Sequence, residues 1–179
     1  MIENLNEIPE EELFTGGHLA CKGCSAVLGL KLITKALGSE TIVVNASGCM
    51  TLLCIYPSTP LKISWFHSAI ENAASTASGV VAALRRLDQK KNVVCYAGDG
   101  ATYDIGMQAL SGMLERREQP IIYVCYNNES YGNTGVQRSS ATPYGAWTTT
   151  TPTGRKNLTG TRMERKPMAK IVAAHGTPY

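Results

Sequence analysis

The sequence predicts an α/β fold, a mostly parallel sheet with helices on both faces, and three observations carry that prediction. Two short apolar runs, residues 93–97 and Ile121–Tyr126, flank a segment with apolar residues at helical spacing (Ile105, Leu110, Met113, Leu114). Alternation of this kind reads as strand–helix–strand with parallel strands. The lengths agree: a helix of about 12 residues rises roughly 18 Å and a strand of about six spans roughly 20 Å, so the helix returns the chain by one strand length. Third, the run Thr41–Ala46 follows another amphipathic segment, Ser25–Leu37, that stops at Gly38, repeating the helix-then-strand pattern.

In chain order, residues 1–16 read as a polar lead-in, with a short helix expected to begin near Pro9-Glu10-Glu11-Glu12, because proline and acids favour a first helical turn. Residues 17–179 read as one domain, the size expected of a chain of 179 residues. A C-x-x-C pair, Cys21 and Cys24, precedes the Ser25–Leu37 helix, and Cys49 follows the Thr41–Ala46 strand in a Gly turn. Such a pair has three readings: a redox dithiol, half a zinc site, or part of an iron–sulfur site. No second C-x-x-C or nearby His pair completes a zinc quartet. Pro57 to Pro60 mark a loop. Residues 67–87, rich in Ala, Ser and Gly, read as a closely packed helix with His67 at its start. Residues 144–167 lack apolar periodicity and read as an extended surface segment, carrying Arg155, Lys156 and Arg162 to Lys166. Residues 170–174 read as a strand with nothing after it, so the C-terminal part of the domain is expected to lie beyond this sequence.

Composition excludes several classes. Hydrophobic content of 44% is ample for a core, and 17% charged residues with a net charge of +3 form no basic stripe with interleaved aromatics, so no nucleic acid is expected. No apolar run approaches the length of a membrane span, and the start is acidic and unlike a signal peptide. A cytoplasmic protein is expected, and its six cysteines are read as thiols rather than disulfides. Cys95 and Cys125, inside strand runs, are expected in the core.

The chemistry concentrates where the two central strands end. Gly98-Asp99-Gly100 follows the first and Asn127-Asn128 the second, with 128 − 99 = 29 positions between the carboxylate and the carboxamide. Parallel strands bring both to the carboxyl edge of the sheet, where α/β folds place ligands. One carboxylate, one carboxamide and a free backbone carbonyl form a hard oxygen set suited to Mg²⁺. Glycines beside Asp99 let the backbone approach a bulky anion.

This GDG…NN pattern resembles the thiamine-diphosphate and Mg²⁺ motif of thiamine enzymes. The resemblance implies a thiamine-diphosphate-binding fold in which Asp99 and Asn128 give side-chain oxygens, and Ser130 its backbone carbonyl, to a Mg²⁺ that bridges the diphosphate. Gly98, Gly100, Ala101, Asn133 and Thr134 would surround the cofactor. Gly100 to Gly106 and the segment Asn133-Thr134-Gly135-Val136-Gln137-Arg138-Ser139-Ser140-Ala141-Thr142-Pro143 resemble the β subunits of 2-oxoacid:ferredoxin oxidoreductases, most closely the pyruvate-oxidising, multi-subunit type, from about Gly17 onward. That likeness implies that Cys21, Cys24 and Cys49 bind a 4Fe–4S cluster whose fourth cysteine lies beyond this sequence, Cys54 being a poor substitute five residues from Cys49. Asn133 is implied as the polar group beside the reacting carbon.

The implied activity is the oxidative decarboxylation of pyruvate with coenzyme A. Thiamine diphosphate provides an ylid that attacks the 2-oxo acid and stabilises the carbanion left after CO₂ departs, and the cluster passes electrons to ferredoxin. Branched-chain 2-oxo acids, oxalate and aryl glyoxylates are handled by related enzymes. No glutamate of this chain stands out as the activator of thiamine, so one is expected from a partner subunit (α, γ or δ type) in a hetero-oligomer. Two other functions stay open: a non-redox thiamine-dependent decarboxylase or ligase, and a non-catalytic subunit in which the three cysteines hold zinc.

Overall fold

A computed structural model describes residues 9–117 and 119–177. Four strands form one sheet in the order β2-β1-β3-β4, every neighbouring pair parallel. They are β1 (Thr41–Ala46), β2 (Ser64–Ser68), β3 (Asn92–Gly98) and β4 (Ile121–Tyr126). Helix α1 (Ser25–Leu37) covers one face; α2 (Ala73–Arg86) and α3 (Met107–Glu115) cover the other. The predicted bounds of α1, β1 and β4 coincide with the observed ones.

The strand pleat sorts the core. Val93, Cys95 and Ala97 of β3 face α2 with Val44 and Ala46, packing on Ala77, Val81 and Leu84. Val94 and Tyr96 face α1 with Val43, packing on Val27 and Leu30. Successive side chains of one strand thus reach opposite layers, as a period of two requires. Helix α1 ends at Gly38, whose φ of 80° and N–H to Thr34 O (2.9 Å) close the last turn.

Three expectations are corrected. Residues 9–12 form no helix, and the next two, Leu13 and Phe14, are buried, Phe14 bridging to Leu61. The helix expected over 67–87 begins at Ala73; Ser64–Ser68 form β2, an edge strand, and a turn over 69–72 links the two. His67 therefore lies on a strand. Residues 170–173 are helical, not extended: α4 (Met168–Ala173) starts after Pro167, a residue suited to a helix start. Its Met168 is buried, and Val172 packs against Ala74, Leu110 and Met113. The irregular 144–167 segment lies largely at the surface, as expected, with Thr148, Gly160 and Thr161 buried.

Strand order also places the site. The chain runs outward from β1 to β2, crosses back to β3, then runs outward the other way to β4. The loops after β1 and β3 part in opposite directions, and a crevice between diverging loops at the carboxyl edge is where such sheets bind ligands.

Candidate functional site

A cleft with about 360 Å³ of open space lies at this carboxyl edge. All eight residues singled out around the thiamine motif line it: Gly98, Asp99, Gly100, Ala101, Asn128, Ser130, Asn133 and Thr134. Cys49 lines the same cleft from the loop after β1, beside Ser47 and Gly48. Cys21 and Cys24 lie outside it, on the turn before α1, where Cys24 N–H donates to Cys21 O at 3.2 Å.

Asp99 is 1% exposed. Its Oδ2 accepts the Ser139 hydroxyl, and its Oδ1 accepts the Asn128 backbone N–H at 3.3 Å. Burial raises its pKa; the Ser139 hydroxyl, then backbone N–H groups, oppose the rise. One terminal atom of the Asn128 carboxamide lies 2.7 Å from both Asp99 Oδ1 and the Ser130 carbonyl oxygen. Turned with its nitrogen inward, the amide donates to both; turned with its oxygen inward, it completes an all-oxygen triplet. Octahedral ligands of Mg²⁺ at 2.0–2.1 Å stand about 2.9 Å apart, close to the two 2.7 Å separations made by the Asn128 atom. Gathering a carboxylate, a carboxamide oxygen and a carbonyl is repulsive unless a cation joins them.

The glycines do something other than admit an anion alone. A Cβ on Gly100 would sit 2.3 Å from Cε1 of Tyr131, whose ring lies over the loop and whose hydroxyl donates to Gly100 O and Asp104 Oδ2, each 3.3 Å away. Gly98 and Gly48 make room for Tyr126, whose hydroxyl would be 3.3 Å and 2.9 Å from a Cβ on each. Tyr126 stacks on Tyr96 with centroids 5.0 Å apart. Beyond Asp99 the chain winds a π-helical turn, Gly100–Ile105, before α3, a geometry that recurs at functional sites.

The loop after Ser130 is closed by Tyr131 N–H to Gln137 O (2.9 Å) and Val136 N–H to Tyr131 O (3.0 Å). Thr134 donates its hydroxyl to Gln137 Oε1 at 2.6 Å, so its side chain is engaged within the loop. Asn133 is exposed and lines the cleft, with its carboxamide unpartnered among the described residues. Two basic residues of the 144–167 segment and its end are tied to the site's surroundings. Arg165 pairs with Glu129; Lys166 lies 3.5 Å from Asp104 Oδ1 and donates to Tyr103 O.

The Cys49 thiol is raised by burial first, then by neighbouring Cys24, while the Asn128 amide lowers it and Cys21 raises it again. Among the described residues no three His, Cys, Asp or Glu side chains are close enough to hold a metal ion. Zinc needs such convergence on one point, whereas the cysteines of a 4Fe–4S cluster can each bind a different iron. The Cys54 thiol donates to Met50 O at 3.8 Å. Cys95 is fully buried, its thiol pushed up to about 12 by burial, and Cys125 is half-buried.

Several contributors escaped the sequence reading. Ser47, Ile70, Tyr126, Tyr131 and Gly132 line the cleft, and Ser139 holds Asp99. Ser139 stands inside the Asn133–Pro143 stretch, so its presence was a usable signal. Ile70 follows β2, the strand that went unseen. His67 Nε2 bonds the hydroxyls of Ser47 and Thr51, each at 3.1 Å, and Thr51 Oγ1 accepts Gly48 N–H at 3.0 Å. His67 thus braces the loop that carries Cys49.

Among the described residues, no helix is long and apolar enough to cross a membrane. Residues 46–179 match the family model of the thiamine pyrophosphate enzyme C-terminal TPP binding domain. The pyruvate synthase subunit PorB of Methanothermobacter thermautotrophicus is 51% identical over 175 residues, 97% of this chain and 60% of that protein. The ketoisovalerate oxidoreductase subunit VorB of Pyrococcus furiosus is 47% identical over 179 residues, 96% of this chain and 57% of that protein. This chain therefore spans less than two thirds of the length of these relatives. A solved 2-oxoglutarate:ferredoxin oxidoreductase from Magnetococcus marinus, with 2-oxoglutarate, coenzyme A and succinyl-CoA bound, shares the fold. Its TM-score is 0.74 at 17% identity, over 100% of this chain and 60% of that one.

Proposed function

The chain belongs to the thiamine pyrophosphate enzymes, and from that premise we propose that it is the thiamine-diphosphate-binding subunit of a cytoplasmic 2-oxoacid:ferredoxin oxidoreductase. The reaction is the oxidative decarboxylation of pyruvate with coenzyme A to acyl-CoA and CO₂, two electrons leaving singly for ferredoxin. One observation carries the redox reading: Cys49 lines the same cleft as Asp99, Asn128 and Ser130.

When bound, thiamine diphosphate supplies the electron sink for decarboxylation and a 4Fe–4S cluster the one-electron acceptor. The chain's own residues bind and orient. Asp99, Asn128 and Ser130 hold Mg²⁺ through the oxygen triplet, with Asp99 fixed by Ser139. Cys21, Cys24 and Cys49 supply thiolates to the cluster. Gly98, Gly100 and Ala101 form the floor of the cleft with Tyr131 above Gly100, and Thr134 holds the loop that presents Asn133. Asn133 offers a free carboxamide N–H to oxygen charge developing on the substrate. No glutamate lines the cleft among the described residues; the carboxylate that activates thiamine comes from a partner subunit.

A second substrate has a specific argument. The relatives include a ketoisovalerate oxidoreductase subunit at 47% identity, close to the 51% of the pyruvate synthase subunit. Anaerobic electron paramagnetic resonance on the assembled complex separates the cases. A reduced-cluster signal that needs pyruvate and coenzyme A together supports the proposal. A signal with 2-ketoisovalerate alone among the acids tried moves the substrate. Absence of iron and of any signal rejects the redox function.

A further inference from the structure

The Asn128 carboxamide has two ends, and both are engaged. Its inward atom lies 2.7 Å from Asp99 Oδ1 and Ser130 O. Its outward atom, Nδ2 in this structure, lies 3.7 Å from Cys49 Sγ, within reach of an N–H···S hydrogen bond. Gly132 leaves the space in which this contact forms. A Cβ there would meet Asn128 Nδ2 at 2.8 Å and Cys49 Sγ at 3.5 Å. Gly132 has no left-handed φ to explain it; the missing side chain leaves room for amide and sulfur to approach. The sulfur is held from behind by the Ser47–Thr51 loop that His67 braces.

An amide cannot serve both ends in either orientation equally. With a cation in the triplet its oxygen must point inward, which commits its N–H to the Cys49 sulfur. Without a cation the opposite orientation donates to Asp99 Oδ1 and Ser130 O, and the carbonyl oxygen then faces the sulfur. Hydrogen bonds to cluster sulfurs favour the more negative, reduced state and so raise the potential, whereas an oxygen lone pair does the reverse.

We propose that Asn128 is a positioning residue that couples occupancy of the Mg²⁺ site to the potential of the cluster bound through Cys49. This rests on the reading that the three cysteines hold that cluster. The cluster becomes the better electron acceptor only when Mg²⁺ and thiamine diphosphate are seated, so electrons are drawn from a loaded site and not supplied to an empty one. Coupling is reciprocal: reducing the cluster tightens the cation's hold, because both favour the same amide orientation.

The test is a redox titration of the anaerobically purified complex, following the signal that Cys49→Ser perturbs, with Mg²⁺ and thiamine diphosphate removed by chelation and then restored. Restoration is expected to shift the wild-type midpoint upward. Asn128→Asp keeps an oxygen for the cation but has no N–H, so at thiamine diphosphate concentrations that calorimetry shows to saturate it, its midpoint should no longer rise. Gly132→Ala, which adds no charge, should pull the bound-state midpoint down by displacing the amide. A wild-type midpoint indifferent to the cation, or a rise that persists in both variants, overturns the coupling while iron and signal remain. Wild-type complex without iron or signal instead overturns the cluster itself.

Discussion

Tyr131 and Gly100 are fitted to each other: three ring atoms of Tyr131 lie 2.3–2.6 Å from where a Cβ on Gly100 would be. The ring is pinned by its hydroxyl to Gly100 O and Asp104 Oδ2, and Asp104 is pinned in turn by Ser140 N–H at 3.1 Å and by Lys166. The loop after β3 and the loop after β4 are thereby locked as one wall of the cleft.

Gly100→Ala is expected to expel the Tyr131 ring and open that wall, at a cost of about 1–3 kcal/mol typical of overpacking. Thiamine diphosphate affinity should fall about tenfold or more by calorimetry, with the far-ultraviolet circular dichroism unchanged. Because the clash is with one side chain, adding Tyr131→Ala should cost much less in the Gly100→Ala background than alone. Additive losses would show that the ring does not set the wall.

Asp99→Asn should trade function for stability. Burial raises the Asp99 pKa, so the folded, cation-free chain holds its proton more tightly than the unfolded chain does. Stability from this group is then fully present below the ordinary carboxylate value and is lost as pH rises through the folded value. At neutral pH the cation-free protein bears that loss, and the amide removes it. Melting in the presence of chelator should rise at neutral pH. The gain should shrink as pH falls, and Mg²⁺-dependent cofactor binding should disappear.

How much of this was legible varied with how local the signal was. The α1, β1 and β4 bounds are written in runs of one period with a Gly or Asn stop, and the eight motif residues meet in one cleft because parallel strands must end together. β2 was hidden because an edge strand exposes Phe66 (50%) and so carries no clean alternation. α4 was misread because five residues cannot distinguish a strand from a helix turn; the Pro167 start and the Val172 contact decide it. The partners of the site, Tyr131 over Gly100, His67 behind Ser47 and Asn128 against Cys49, depend on pairs up to 79 positions apart. No single stretch of sequence holds such a pair.

Val136 sits at φ 62° in the loop that carries Asn133. A β-branched residue in the left-handed region is strained by about 1–3 kcal/mol, and Val136 is 41% exposed, so little packing offsets it. Val136→Asn, a residue that tolerates this conformation without glycine's entropy cost, should stabilise by about 1 kcal/mol in thermal unfolding. A neutral or negative effect would mean that the valine side chain makes a contact in the assembled complex.

Asn133 is the remaining candidate at the reacting centre, and its geometry sets a sharp expectation. It lines the cleft on a loop closed by the Tyr131–Gln137 bridge and by the Thr134–Gln137 hydrogen bonds, so removing its amide leaves the loop's own bonds intact. A donor that acts only on charge developing in the transition state lowers kcat and kcat/KM together by about 10²–10³-fold, with KM little changed. Asn133→Ala should show that pattern in the assembled complex, with cofactor affinity and the cluster signal both retained. A rise in KM at constant kcat would instead make Asn133 a substrate-binding group that holds ground state and transition state alike. Loss of thiamine diphosphate would move its role from the reacting carbon to the cofactor. Asn133→Asp separates these further: a carboxylate of similar shape cannot donate and repels the developing oxyanion, so it should be at least as damaging as alanine if the donor role is correct.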